Sequence, residues 1–326
     1  VGNGCTLGLL GLPLLLAACA APSGDDAREE VGEARSAIEG GTADARDTGV
    51  VGMVLAMPAE QEQRTCSGTL IAPNLVLTAQ HCVADTPELV SCATSVFGPP
   101  ADAALLEITT SESMWEAGAP WIKAAEVMTP PGGDAVCGRD LALIRLADRA
   151  DATPLDPGLD AHVEPEEDYA AIGFGRTSSA IHDTGERRRR DRLHVVCVGA
   201  ACDTVQVAAP EWRGDQGVCN GDSGGPAVDG EGRVIGVTSR GPAACQHPIY
   251  GRLDAHADWI REGARRAALA GGYAAPAWVD GPAAPALGAS AACATARASA
   301  PRGGLAWSGL AAGLAALAIA RRRRRD

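Results

Sequence analysis

The chain lacks several patterns that would assign a function at once. No two cysteines are spaced as C-x-x-C, so a zinc ribbon has no ligand pairs to build on. No H-E-x-x-H occurs, which leaves a metalloprotease helix without a basis. Basic charge is in deficit: 28 Lys and Arg stand against 41 Asp and Glu, a formal net charge of -13. That balance argues against nucleic acid or an anionic membrane surface as the main partner, since both attract clustered cations. No long regular helices alternate with the strand-like segments, so a Rossmann-like parallel sheet is not expected.

What is present is globular in composition, with 46% hydrophobic and 21% charged residues. A length of 326 residues leaves room for one large domain with appendages or two small ones. There are 11 cysteines. An even set lies between Cys66 and Cys245 (Cys66, Cys82, Cys92, Cys137, Cys197, Cys202, Cys219, Cys245), which points to disulfides and an oxidising compartment. Cys5, Cys19 and Cys293 fall in the tails.

The two ends read as export and attachment signals. Residues 1–19 carry an apolar run from Leu7 to Ala18, the length of a signal-peptide core and too short for a comfortable membrane span. Leu16-Ala17-Ala18-Cys19 resembles the lipobox of bacterial lipoproteins, which implies lipidation of Cys19; an ordinary secretory signal is the alternative. Residues 20–37 are polar, acidic and alanine-rich, a linker or propeptide. Residues 263–302 are rich in Ala, Gly and Pro and read mainly as a linker. Residues 303–326 combine an uncharged apolar stretch with Arg321–Arg325, a transmembrane segment with its cations on the cytoplasmic side. With Cys293 upstream, this end resembles the C-terminal sorting tails of myxobacterial surface proteins; a plain anchor is the alternative.

Between the ends, short strand-like runs recur at Val50–Met57, Cys66–Ile71, Leu75–Thr78, Leu141–Leu146, Tyr169–Phe174, Leu193–Val198 and Val234–Thr238. Gly, Pro and Asp punctuate them, the signature of a β-sandwich or barrel. One helix is expected from Asp254 to about Ala270, with Trp259 and Ile260 inward and Arg261, Arg265 and Arg266 toward solvent. The basic run Arg187–Arg190 reads as a solvated surface loop.

Three strings carry chemistry: Leu77-Thr78-Ala79-Gln80-His81-Cys82, then Gly138-Arg139-Asp140-Leu141-Ala142-Leu143, then Cys219-Asn220-Gly221-Asp222-Ser223-Gly224-Gly225-Pro226. A serine hydroxyl is a poor nucleophile until a base takes its proton, and a histidine titrates in the useful range. An aspartate that orients the imidazole completes the set. Gly221-Asp222-Ser223-Gly224-Gly225 also satisfies the G-x-S-x-G elbow of α/β-hydrolases, but that fold takes its acid and histidine after the serine. His247 and His256 do follow Ser223, without a β-rich context between them.

Taken together, the three strings resemble the histidine, aspartate and serine motifs of the chymotrypsin/trypsin family, over about residues 38–262. The resemblance implies an all-β fold of two six-stranded antiparallel β-barrels with a C-terminal helix. It implies His81, Asp140 and Ser223 as the catalytic triad and the N–H groups of Gly221 and Ser223 as the oxyanion hole. Gln80 stands where the family usually has alanine. Ile38-Glu39-Gly40-Gly41 resembles the family's mature N-terminus, so cleavage after Ala37 would free an ammonium at Ile38 to pair with Asp222. Family likeness also pairs Cys66 with Cys82 and Cys219 with Cys245. The pairing of Cys92, Cys137, Cys197 and Cys202 stays open. The pocket base falls at Gly217, with Ser239, Gly241 and Pro248 on its walls. Arg240 replaces the usual tryptophan, and Asp215 lies near the base. The expected activity is a serine endopeptidase cleaving after apolar residues. A catalytically inactive surface binding module on the same fold, or an esterase using the same triad, are the alternatives. No cofactor or metal is expected. The expected partners are protein or peptide substrates, an activating protease and the membrane, through one or both termini, with the catalytic domain a monomer. The expected location is outside the cytoplasm, at the cell envelope or surface, with release after processing as a variant.

Overall fold

The computed structural model describes residues 38, 40–178, 183–202, 204, 206–242 and 245–281. These belong to one compact unit, Val1–Pro282; the second unit, Ala283–Asp326, lies outside the described residues. The expected signal segment with Cys19, the propeptide and the span at 303–326 also fall outside them. Among the described residues no helix is long and apolar enough to cross a membrane.

A short strand β1 (Thr42–Ala43) precedes the first barrel. That barrel comprises β2 (Val50–Met57), β3 (Glu62–Ala72), β4 (Leu75–Thr78), β5 (Leu106–Thr109), β6 (Trp121–Met128) and β7 (Ala142–Leu146). All its pairings are antiparallel, and it closes in the order β2-β3-β4-β7-β6-β5. The second barrel comprises β8 (Asp168–Gly173), β9 (Arg188–Val198), β10 (Glu211–Gly214), β11 (Pro226–Val228), β12 (Val234–Arg240) and β13 (Ile249–Arg252). It runs β9-β10-β13-β12-β11-β8, and the β8–β9 pairing closes the ring, with β1 pairing the start of β9 at Arg188 and Arg189. Closure removes the exposed sheet edges that would otherwise template aggregation. The architecture is the expected pair of six-stranded barrels.

Each barrel is filled from within by branched and aromatic side chains, as small barrels require. Val51, Met53, Leu70, Leu77, Leu106 and Ile108 are buried in the first. The second centres on Trp212, stacked on Tyr250 with ring centroids 4.1 Å apart, and Tyr169 meets both edge-on. Ile38 is buried in that same cluster.

The C-terminal helix α1 (Ala257–Gly271) buries Ile260, Ala264 and Ala267 against the first-barrel core. Trp259 packs at its margin, half-buried. Arg261 departs from the solvent-facing expectation: its side chain is largely covered and ion-pairs with Asp160 at 2.8 Å. The packing also runs past residue 262. The helix continues to Gly271, and Val279 in the following 3₁₀ turn is buried in the same core. Composition alone hid this because the segment is mostly small residues, and Tyr273, Trp278 and Val279 dock it.

The basic run is a second correction. Arg188–Arg190 open strand β9 rather than a loop, and Arg187 just before it is buried. The Arg187 guanidinium donates to the carbonyls of Asp44, Val50 and Thr110 and lies 3.8 Å from the Asp44 carboxylate. Burial lowers its basicity, and the neighbouring acids counter this. Arg189 pairs with Asp47 and Asp191. The run of like charge is tolerated because acids and carbonyls on neighbouring segments take up Arg187 and Arg189.

Candidate active site

The β4–β7 register explains how the histidine and aspartate strings meet. Thr78 pairs with Ala142 at the last step of an antiparallel ladder. Continuing that register past both strand ends brings the short turn Gln80–Cys82 against Arg139 and Asp140. The Cys66–Cys82 disulfide fastens the turn to β3.

Asp140 is buried and accepts three hydrogen bonds. The His81 backbone N–H donates to Oδ1 at 2.9 Å, His81 Nδ1 donates to Oδ2 at 2.7 Å, and the Ser239 hydroxyl donates to Oδ2 at 2.6 Å. Burial pushes this carboxyl up, but the His81 charge and the hydrogen bonds from His81 and Ser239 outweigh it and hold it below the ordinary range. An ionised carboxylate only accepts, so the His81 proton sits on Nδ1 and leaves Nε2 as the basic atom.

Ser223 arrives from the second barrel, just ahead of β11. Its carbonyl accepts from the Ser67 N–H on β3 at 2.8 Å, which ties the serine turn to the first barrel. The next residue must be glycine. Gly224 has φ +81, and a Cβ there would lie 2.0 Å from Thr78 Oγ1 and 2.3 Å from the Ser67 carbonyl. Gly221 has φ +100, and its carbonyl accepts from the Ser67 hydroxyl at 2.9 Å. Neither the Gly221 nor the Ser223 N–H donates to any described residue.

A cavity of about 410 Å³ lies along this junction. His81, Asp140, Gly221 and Ser223 line it, as do Ser239, Gly241 and Pro248. Gly217 does not. It is buried with φ +99, and a Cβ on it would lie 3.2 Å from the Arg190 stem and 3.3 Å from the Leu193 methyls. Val218, next in the chain, is on the wall instead. Arg240, where an aromatic wall was missing, lines the cavity but turns its guanidinium onto Glu211. Glu211 carried no local signal, since its partner lies 29 residues away.

Asp222 is buried. Its carboxylate accepts the N–H of Gly175 at 2.8 Å and of Cys219 at 2.9 Å, and no described cation pairs with it. Burial pushes it up to about 7, against the pull of those two hydrogen bonds. Cys219 bonds Cys245, Cys92 bonds Cys137 and Cys197 bonds Cys202, which completes four disulfides. Such a set marks an exported protein. One described group of ligand-type atoms, Cys66, His81 and Cys82, has a metal-like spacing, but its two sulfurs are already joined to each other.

Two closed six-stranded barrels, with a cleft between them lined by His81, Asp140 and Ser223, define a protein of the chymotrypsin fold. The chain belongs to the trypsin family, whose pattern, described as Trypsin, matches residues 40–260. It is 29% identical over 219 residues to the mouse (Mus musculus) Kallikrein 1-related peptidase b26, covering 62% of this chain and 81% of that protein. It is 27% identical over 222 residues to a Trypsin of Saccharopolyspora erythraea, covering 64% of this chain and 90% of that protein. Among solved structures, that of GrC superposes with a TM-score of 0.56 at 19% identity, over 69% of this chain and 99% of that one. At that identity the likeness shows the fold alone.

Proposed function

We propose that this chain is a secreted serine endopeptidase that works through an acyl-enzyme on Ser223. The observation that carries the reading is the hydrogen-bonded pair of buried Asp140 and half-buried His81 standing in the wall of the cavity that Ser223 also lines. In the first step Ser223 Oγ attacks the scissile carbonyl carbon and its proton passes to His81 Nε2. Asp140 stays ionised and offsets the imidazolium charge. The new oxyanion accepts the unengaged N–H groups of Gly221 and Ser223, an interaction worth roughly 10²–10³ in turnover per donor. His81 then gives its proton to the leaving amine. Water repeats the sequence to release the acyl group.

The side chain preceding the scissile bond is apolar and small or medium in size. Val218, Pro242 and Pro248 line the cavity, and Asp215, the carboxylate nearest Gly217 in sequence, does not, which supports an apolar preference over Lys or Arg. Activation follows cleavage before Ile38. The support is the burial of Ile38 in the second-barrel core, together with an Asp222 carboxylate that has no described cation partner. A freed ammonium would supply that partner, through an activating protease or self-cleavage. Attachment to the envelope through Cys19, residues 303–326 or both completes the reading.

The test is intact mass and N-terminal sequencing of the mature protein after brief exposure to a fluorophosphonate probe. A species starting at Ile38 and labelled on Ser223 is the expected result. A species starting at Ile38 that stays unlabelled sinks the catalytic reading.

A further inference from the structure

We infer that Glu211 and Arg240 form a buried ion pair that positions Asp140, an inference that rests on the catalytic reading above. The pair is bidentate: Arg240 Nη1 donates to Glu211 Oε1 and Nη2 to Oε2, both at 2.7 Å. Glu211 is fully buried and the Arg240 side chain nearly so. A charge pair taken this far out of water is costly to assemble and is by itself weak support for stability. Arg240 Nη2 also donates to the Gln206 carbonyl at 2.7 Å, and two further sets of hydrogen bonds lead from the pair toward Asp140.

The first route passes through Ser239. Arg240 Nη1 also donates to Ser239 Oγ at 3.1 Å, and Ser239 Oγ donates to Asp140 Oδ2 at 2.6 Å. A guanidinium has no acceptor and an ionised carboxylate has no donor. The Ser239 hydroxyl is therefore polarised in one sense, accepting from Arg240 and giving its proton to Asp140. Tryptophan, the usual family residue at position 240, has one donor and could not satisfy a buried Glu211 and the hydroxyl together.

The second route passes through the backbone. Glu211 Oε1 accepts the Gly138 N–H at 2.6 Å, and Oε2 accepts the Ala208 N–H at 2.7 Å. On the other side of the Gly138 peptide unit, His256 Nε2 donates to the Gly138 carbonyl at 2.9 Å. Gly138 lies two residues before Asp140, and the Cys92–Cys137 disulfide anchors the residue before it. The ion pair thus reaches the carboxylate that orients His81 through the Ser239 hydroxyl and through the backbone at Gly138, two residues before it.

Glu211 and Arg240 are positioning residues, and a double-mutant cycle separates that role from a general structural one. The rate of Ser223 labelling by a small fluorophosphonate is measured for the Ile38-started protein and for Arg240→Lys, Ser239→Ala and their double variant, with thermal midpoints alongside. Lysine keeps a charge for Glu211 but cannot reach both carboxylate oxygens and the hydroxyl. Each single variant is expected to slow labelling about tenfold, and the double variant no further. Multiplied effects in the double variant, or an unchanged rate for Arg240→Lys, would overturn the inference. Glu211→Gln leaves every cavity-lining side chain in place and provides a second arm should Arg240→Lys fail to fold. It too should slow labelling about tenfold, and labelling at the unmodified rate counts against the pair. Failure of the parent protein to label although it starts at Ile38 removes the catalytic reading itself, a different result from either.

Discussion

Asp140 holds His81 twice, by the backbone N–H on one carboxylate oxygen and by ring Nδ1 on the other. The double attachment fixes the ring's height and rotation together, with His81 on the cavity lining. It also makes Asp140 the most informative position at which to test the chemistry.

Asp140→Asn preserves the shape of the side chain but offers an amide where a carboxylate accepted from Nδ1. The imidazole is driven toward the other tautomer and Nε2 loses its basicity. Turnover of a peptide substrate and the rate of fluorophosphonate labelling should fall on the order of 10⁴-fold. The thermal midpoint should move little. A variant that labels at the unmodified rate would show that Asp140 does not tune His81.

Asp222 predicts a pH dependence that differs between precursor and processed protein. Its folded-state value, about 7, lies above the ordinary carboxyl value near 4. The folded precursor therefore binds this proton more tightly than the unfolded chain. The stabilisation is complete below pH ~4 and is lost as pH rises to about 7. The comparison uses Ser223→Ala, to prevent self-cleavage, with and without Asp222→Asn, so that other titrating groups cancel. The thermal midpoint of the protein that keeps Asp222 should fall relative to that of the Asp222→Asn variant across that window. Cleavage before Ile38 should abolish the relative fall, because an ammonium then favours the ionised carboxylate. A relative rise in the precursor would contradict the assignment.

Gly217→Asp tests whether this position contributes to side-chain selection. Sequence likeness places this glycine where a carboxylate would select Lys or Arg, and the simplest expectation is that the substitution creates such selectivity. The structure predicts otherwise. A side chain there meets Arg190 and Leu193 at 3.2–3.3 Å, and φ +99 strains any residue but glycine. The variant should lose stability by roughly 1–3 kcal/mol without gaining cleavage after Lys or Arg. A peptide-library profile that shifts to basic residues would refute this.

Much of the architecture is legible in the sequence, for reasons that differ between elements. The strands at Val50–Met57 and Leu75–Thr78 stand as expected because branched residues and turn-forming neighbours agree locally. Strand β9 begins at Arg188, earlier than the apolar pattern suggested, because acids on other segments pair with its charge, as Asp47 does with Arg189. The helix after Asp254 is legible from its apolar spacing, but the docking of Val279 in the separate turn that follows is not, since alanine and glycine carry little periodic signal.

The sequence by itself determined the chemical identities: which histidine, aspartate and serine strings exist, their order, and the glycines that flank Ser223. Those are local properties, written in adjacent residues. The tertiary structure alone decided which of them share a cavity, that Gly217 sits off its wall, how Cys92, Cys137, Cys197 and Cys202 pair, and that Glu211 neutralises Arg240. Each of these depends on segments that only the closing of two barrels brings together. A buried charge or a thiol takes whichever partner the fold delivers within a few ångströms, and no adjacent residue encodes that choice.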